Sequence, residues 1–132
     1  MTSFATVLDM GFYERFRWAE GQFEDRDYRG AARTLEALLE DLEREPGEAG
    51  HPLTDVRLLL ARAYYHSAQL RHAEAAARAV LADQPTEAYA ALLLARTLQR
   101  GSRHEEARRA LNLAAALGAP GTTWDDVETA TG

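Results

Sequence analysis

The side chains able to do chemistry are few in this chain, and their spacing does not group them for it. There are four histidines, His51, His66, His72 and His104, and no two stand at metal-ligand spacing. His104-Glu105-Glu106-Ala107-Arg108 opens like H-E-x-x-H, in which two imidazoles one helical turn apart hold zinc, but Arg108 stands where the second ligand is needed. Glu105 with Glu106, or Asp125 with Asp126, could be imagined as an acid–base pair. That chemistry needs one carboxyl in a buried environment that separates the two pKa values, and these adjacent acids read instead as a solvated helix face and a helix start. Cysteine is absent, which removes thiol nucleophiles and disulfides. No nucleophile-elbow, phosphate-loop or dinucleotide motif is present. The expectation is therefore a protein that is not an enzyme, with no catalytic residue, no metal and no cofactor.

Charge bears on the partners. All 15 side-chain cations other than histidine are Arg, and Lys and Ile are both missing. That bias fits the codons of a GC-rich, bacterial genome. Its physical consequence is that each cation is a planar fork suited to carboxylates. Residues 1–50 hold 6 Arg against 12 acids, residues 51–120 hold 9 Arg against 6 acids, and the last dozen add three acids. The net charge of −6 argues against nucleic acid, which needs a basic footprint, and the mildly basic middle suits acidic protein segments. No apolar run approaches the roughly 20 residues that cross a bilayer. The first residues lack the basic start of a secretory signal, so the cytoplasm is the expected location.

The elements that would position these side chains are helices. Apolar residues at helical spacing predict helices over about 10–25, 28–45, 53–67, 70–83, 87–100 and 103–117. Asp25-Arg26-Asp27, Ser67-Ala68-Gln69 and Gly101-Ser102 break each pair, with Gly101 suited to a left-handed helix cap. Glu40/Arg44, Glu74/Arg78 and Glu105/Arg109 stand four apart, Glu first, the stabilising order on a helix.

The pairs echo one another. Arg57, Leu60, Ala61, Tyr64, Ala73, Ala77 and Pro85 are followed 34 residues later by Ala91, Leu94, Ala95, Leu98, Ala107 and Leu111, with Pro120 one place beyond its slot. A degenerate earlier copy runs Arg15, Trp18, Ala19, Gln22, Ala31, Leu35 and Leu38. Ala31 and Ala73 stand 42 apart, because the Pro- and Gly-rich stretch from Arg44 to Pro52 inserts 8 residues. A 34-residue helix–turn–helix period resembles the tetratricopeptide repeat. At 132 residues the expectation is one domain, an all-α tetratricopeptide-type solenoid of three helix–turn–helix repeats at about 12–45, 54–87 and 88–121. An inserted loop covers 44–53, and a short capping helix at about 122–129 carries Trp124 and Val127. Ala61, Ala95, Ala73 and Ala107 are expected where helices approach closely.

The resemblance also implies a function. Such proteins bind partner segments on an inner, concave face lined by the first helix of each repeat. The matching positions here are Tyr13, Phe16, Glu20, Phe23 and Glu24; then Asp55, Leu58, Arg62, Tyr65 and His66; then Tyr89, Leu92, Arg96, Gln99 and Arg100. Of these the aromatics, leucines and arginines (Tyr13, Phe16, Phe23, Leu58, Arg62, Tyr65, Tyr89, Leu92, Arg96 and Arg100) are the expected partner-binding residues. Aromatics and Arg are the types that dominate interface hot spots. His104 falls in the packing slot of Tyr28 and Leu70. The family's Lys/Asn carboxylate clamp has no counterpart. The resulting expectation is a small protein-binding scaffold for a peptide with acids and apolar anchors. The alternative is a self-associating homodimer or an accessory subunit of an enzyme complex. The apolar start, Phe4, Val7, Leu8, Met10 and Phe12, either caps the first repeat or meets a second copy. The tail either caps the last repeat or occupies the groove.

Overall fold

A computed structural model of the chain describes residues 11–44 and 53–120. Six α-helices and no strand occur among them: α1 Phe12–Glu24, α2 Tyr28–Arg44, α3 Leu53–His66, α4 Leu70–Asp83, α5 Ala88–Arg100 and α6 His104–Ala116. Each falls within a residue or two of the span its apolar periodicity predicts. No helix among the described residues is long and apolar enough to cross a membrane. The chain divides into two compact units, residues 1–67 and 68–132. The boundary falls between the two helices expected to form the second repeat.

In the first unit α2 is the central helix and packs on both α1 and α3. Its apolar stripe is narrow and regular: Ala31, Leu35 and Leu38 are all buried. Asp27 immediately precedes the helix, and its carboxylate accepts a hydrogen bond from the Gly30 amide at 3.0 Å, satisfying one of the free N–H groups at a helix start. Gly30 suits this place because a Cβ there would run into that carboxylate. Three polar contacts tie the helices together. The Arg15 guanidinium meets Asp41 at 2.6 Å, Thr34 donates to Gln22 Oε1 at 2.7 Å, and Tyr64 of α3 donates to Glu36 of α2.

In the second unit α5 is central and packs on α4 and α6. It is buried on nearly every face, from Ala90 to Leu98, with Arg96 the one half-buried residue in that stretch. Ala95 and Ala107, like Ala61 and Ala73, are at most 2% exposed. Their small side chains let helix axes come close. Leu117 and Ala119, beyond the end of α6, join the same core.

The turns recur in detail. Arg26, Ala68 and Ser102 all adopt φ near +60° (64°, 62° and 62°). After α1, the Arg26 amide donates to Phe23 and the Asp27 amide to Gln22; after α5, the Ser102 amide donates to Gln99 and the Arg103 amide to Leu98. This double bond pattern is the Schellman ending, in which a left-handed residue lets the chain turn back onto the last carbonyls. The left-handed residue is Ser102, with Gly101 at φ −82°, so the cap lies one place beyond the expected glycine. Gly118 supplies the same conformation after α6, at φ 85°.

The inserted loop, apart from its edges, lies outside the described residues. So do the N-terminal apolar segment and the expected C-terminal helix.

Candidate partner-binding surfaces

In the first unit, α1 and α3 carry the sequence-predicted binding residues. Phe16, Phe23, Leu58, Arg62 and Tyr65 are all half-buried. Tyr13 is 69% exposed at the start of α1, beside Phe12, which also stacks on Phe16. A denser cluster forms where α1 ends. The Arg62 guanidinium carbon sits 4.6 Å above the centre of the Phe23 ring, a cation–π geometry. Phe23 also meets Tyr28 at 5.1 Å and His66 at 5.4 Å, edge to face. Tyr28 and His66 stack at 4.8 Å, and Tyr65 closes on His66 from the next position. The structure thus adds Tyr28 to this set and gives His66, which the repeat register already puts on the same face, a central place among the rings. The signal of Tyr28 in the sequence is positional: it opens the helix that follows Phe23.

In the second unit the predicted residues diverge. Tyr89 is 37% exposed at the start of α5. Leu92 is only 4% exposed and belongs to the core, where it supports α5 and offers little surface. Arg96 is half-buried, and its Nε is buried with no hydrogen-bond partner among the described residues. Arg100 is exposed at the end of the helix. His104, expected in the slot that Leu70 half-fills, is exposed instead. A polar side chain at the first position of α6 gains more from water than from packing.

A four-charge strap crosses from α4 to α6. Arg103 donates to Glu74 at 2.6 Å and to Glu106 at 2.7 and 3.1 Å; Arg78 lies 2.9 Å from Glu74 and 3.6 Å from Glu106. Burial pushes the Glu74 carboxyl up, but hydrogen bonds from Arg103 and Arg78 outweigh it and hold the group below the usual carboxylate range. The bond from Arg103 does the same for Glu106. The bonds to Glu106 and Glu74 in turn raise Arg103 above its ordinary value. Burial, then the Glu36 hydrogen bond and charge, raises Tyr64 well above an ordinary phenol. Each of these shifts runs away from neutrality, the reverse of what a general acid or base requires. Among the described residues no three His, Cys, Asp or Glu side chains are grouped to hold a metal ion.

The surfaces that remain combine aromatic rings, aliphatic side chains and guanidinium groups, the chemistry of protein recognition. Comparison with protein-family models and with curated proteins returns no match to this chain.

Proposed function

We propose that this protein is a small, non-enzymatic interaction module of the cytoplasm. In this reading it is built as a tetratricopeptide-like array of three helical hairpins and takes a partner segment on the face of its first helices. The recurrence of one turn geometry at Arg26, Ala68 and Ser102, at the 42- and 34-residue spacings of the sequence echo, supports the repeat reading. The observation that carries the binding reading is the Phe23–Arg62 cluster on α1 and α3. There a half-buried cation lies over a half-buried ring, with Tyr65 and His66 beside it. Arg62 presents a guanidinium to an acidic side chain, while the rings offer flat apolar area for a large anchor residue. The favoured partner is a peptide segment with spaced acids and one or two apolar anchors.

Self-association is the second reading, favoured by Leu113, which stands 41% exposed on α6. The two readings separate experimentally. A partner captured by crosslinking is titrated calorimetrically against the native chain and against Arg62→Ala and Tyr65→Ala. Each variant is expected to bind about fivefold or more weakly while keeping its helical circular dichroism, since hot-spot truncations cost over about 1 kcal/mol. Unchanged affinity in both removes this surface as the site. Light scattering that shows a dimer, lost in Leu113→Ser, favours the second reading.

A further inference from the structure

The two units contain the same pair of helices in two different situations. An offset of 76 residues carries α1 onto α5 and the start of α2 onto the start of α6; it also carries Arg26, with its positive φ, onto Ser102. Under that offset Trp18 corresponds to Leu94, Gly21 to Thr97, Gln22 to Leu98, Asp25 to Gly101 and Asp27 to Arg103. In the second unit this face of α5 is covered by a preceding helix, α4. Leu94, Thr97 and Leu98 are at most 5% exposed there. Leu70, Arg71 and Glu74 of α4 share a cleft with Thr97, Leu98, Gly101 and Arg103, and Arg103 holds Glu74 at 2.6 Å.

Among the described residues of the first unit no helix precedes α1 to cover the equivalent face. Trp18 is 36% exposed and Gly21 and Gln22 are half-buried. Together with Arg17, Asp25 and Asp27 they line a cleft of about 340 Å³. From this we infer that the Trp18 face of α1 is a docking site for an amphipathic helix of a partner protein, seated as α4 sits on α5. The charge around the cleft specifies that helix. Where α5 leads to Arg103, which takes the acid Glu74, α1 leads to Asp27, with Asp25 beside it in place of Gly101. The incoming helix therefore carries a large apolar residue in its first turn, at the place of Leu70, and an Arg or Lys four positions later, at the place of Glu74. The chain's own first ten residues contain no Arg, Lys or His and do not meet this requirement. This surface is distinct from the Phe23–Arg62 cluster and does not depend on the function proposed above.

The probe is a synthetic peptide of residues 70–83 carrying Glu74→Arg, with the unsubstituted peptide as control. Each is titrated into the full-length chain while the Trp18 indole and Gly21 amide resonances are followed by NMR. The substituted peptide is expected to shift both resonances and to bind about two- to fivefold tighter than the control, the range of an exposed ion pair. Asp27→Asn should remove that preference while leaving α2 folded, since Asn caps a helix as well as Asp does. Trp18→Ala should weaken both peptides. No perturbation of Trp18 or Gly21 by either peptide at several millimolar overturns the inference, as does equal binding of the two peptides by the native chain. Concentration-dependent shifts of Trp18 without peptide overturn it in favour of a second copy as the occupant.

Discussion

Arg15 offers the sharpest test of the energetics of the first unit. It lies on the face of α1 that packs on α2 and is 6% exposed, and its Nη1 meets the Asp41 carboxylate at 2.6 Å. Its Nε and Nη2 are buried and have no hydrogen-bond partner among the described residues. A buried donor left unmade costs roughly 1–3 kcal/mol, so two such nitrogens match or exceed what one charge-assisted bond contributes, about 1.5–3 kcal/mol. Desolvation of the charge then tips the balance against arginine, as it commonly does for buried pairs. Methionine has a similar unbranched shape and no polar hydrogen to satisfy. Arg15→Met is therefore expected to raise stability by ~1–3 kcal/mol. The measurement is urea unfolding followed by helical circular dichroism, with thermal melts alongside; each kcal/mol moves the midpoint of a chain this size by roughly 3–5 °C. Asp41→Ala should act in the opposite sense, because it leaves the guanidinium buried and unpaired. Asp41 is 45% exposed and water can replace it in part, so the loss should fall below the ~3–5 kcal/mol of a fully buried broken pair. A loss of more than about 1 kcal/mol in Arg15→Met would refute the reasoning, since it would mean that the two unpartnered nitrogens are not a net burden.

Two further outcomes follow from the second unit. Ala95→Leu places three extra carbons at a position that is 2% exposed and should cost ~1–3 kcal/mol by overpacking; an unchanged melting midpoint would mean that α5 has slack there. The α4–α6 strap should weaken in acid. The Glu74 and Glu106 carboxyls are held below their ordinary value of 4.5 in the folded chain, so their contribution is present above that value and fades as pH falls through the lower folded values. Native protein is expected to lose more stability between pH 6 and 3 than Glu74→Gln does, and parallel pH profiles would remove the strap from the account.

The helices were readable because their signal is local. Each apolar stripe repeats with the 3.6-residue period of its own segment, so Ala31, Leu35 and Leu38 announce α2 without reference to any other element. The pairs four apart were equally legible, and the structure places all three within 4.0 Å: Glu74–Arg78 at 2.9 Å, Glu105–Arg109 at 3.4 Å and Glu40–Arg44 at 3.9 Å. Cap position was less so. Gly101 looked like the left-handed residue because glycine adopts positive φ at no steric cost, but the hydrogen bonds of the turn, not the cheapest residue, choose the position, and they choose Ser102.

The partner-binding residues were legible as types and only partly as surface. Helical phase put Leu92 on the same face as Tyr89 and Arg96, yet Leu92 is core while Tyr89 is exposed. Phase within one helix does not reveal how far the neighbouring helices wrap around it. The same limit hid the Arg62–Phe23–His66 cluster, whose members come from helices separated by α2 and meet only because α1 and α3 pack against it. By itself the sequence determined which segments are helical and which faces are apolar, because these depend on residue type and short-range spacing. Tertiary structure alone decided that Arg15 is buried with two nitrogens lacking a partner among the described residues, that Glu74 and Glu106 share Arg103, and that Trp18 lines a cleft. Burial and pairing between helices are set by how far each helix is covered by its neighbours, and no local period records that.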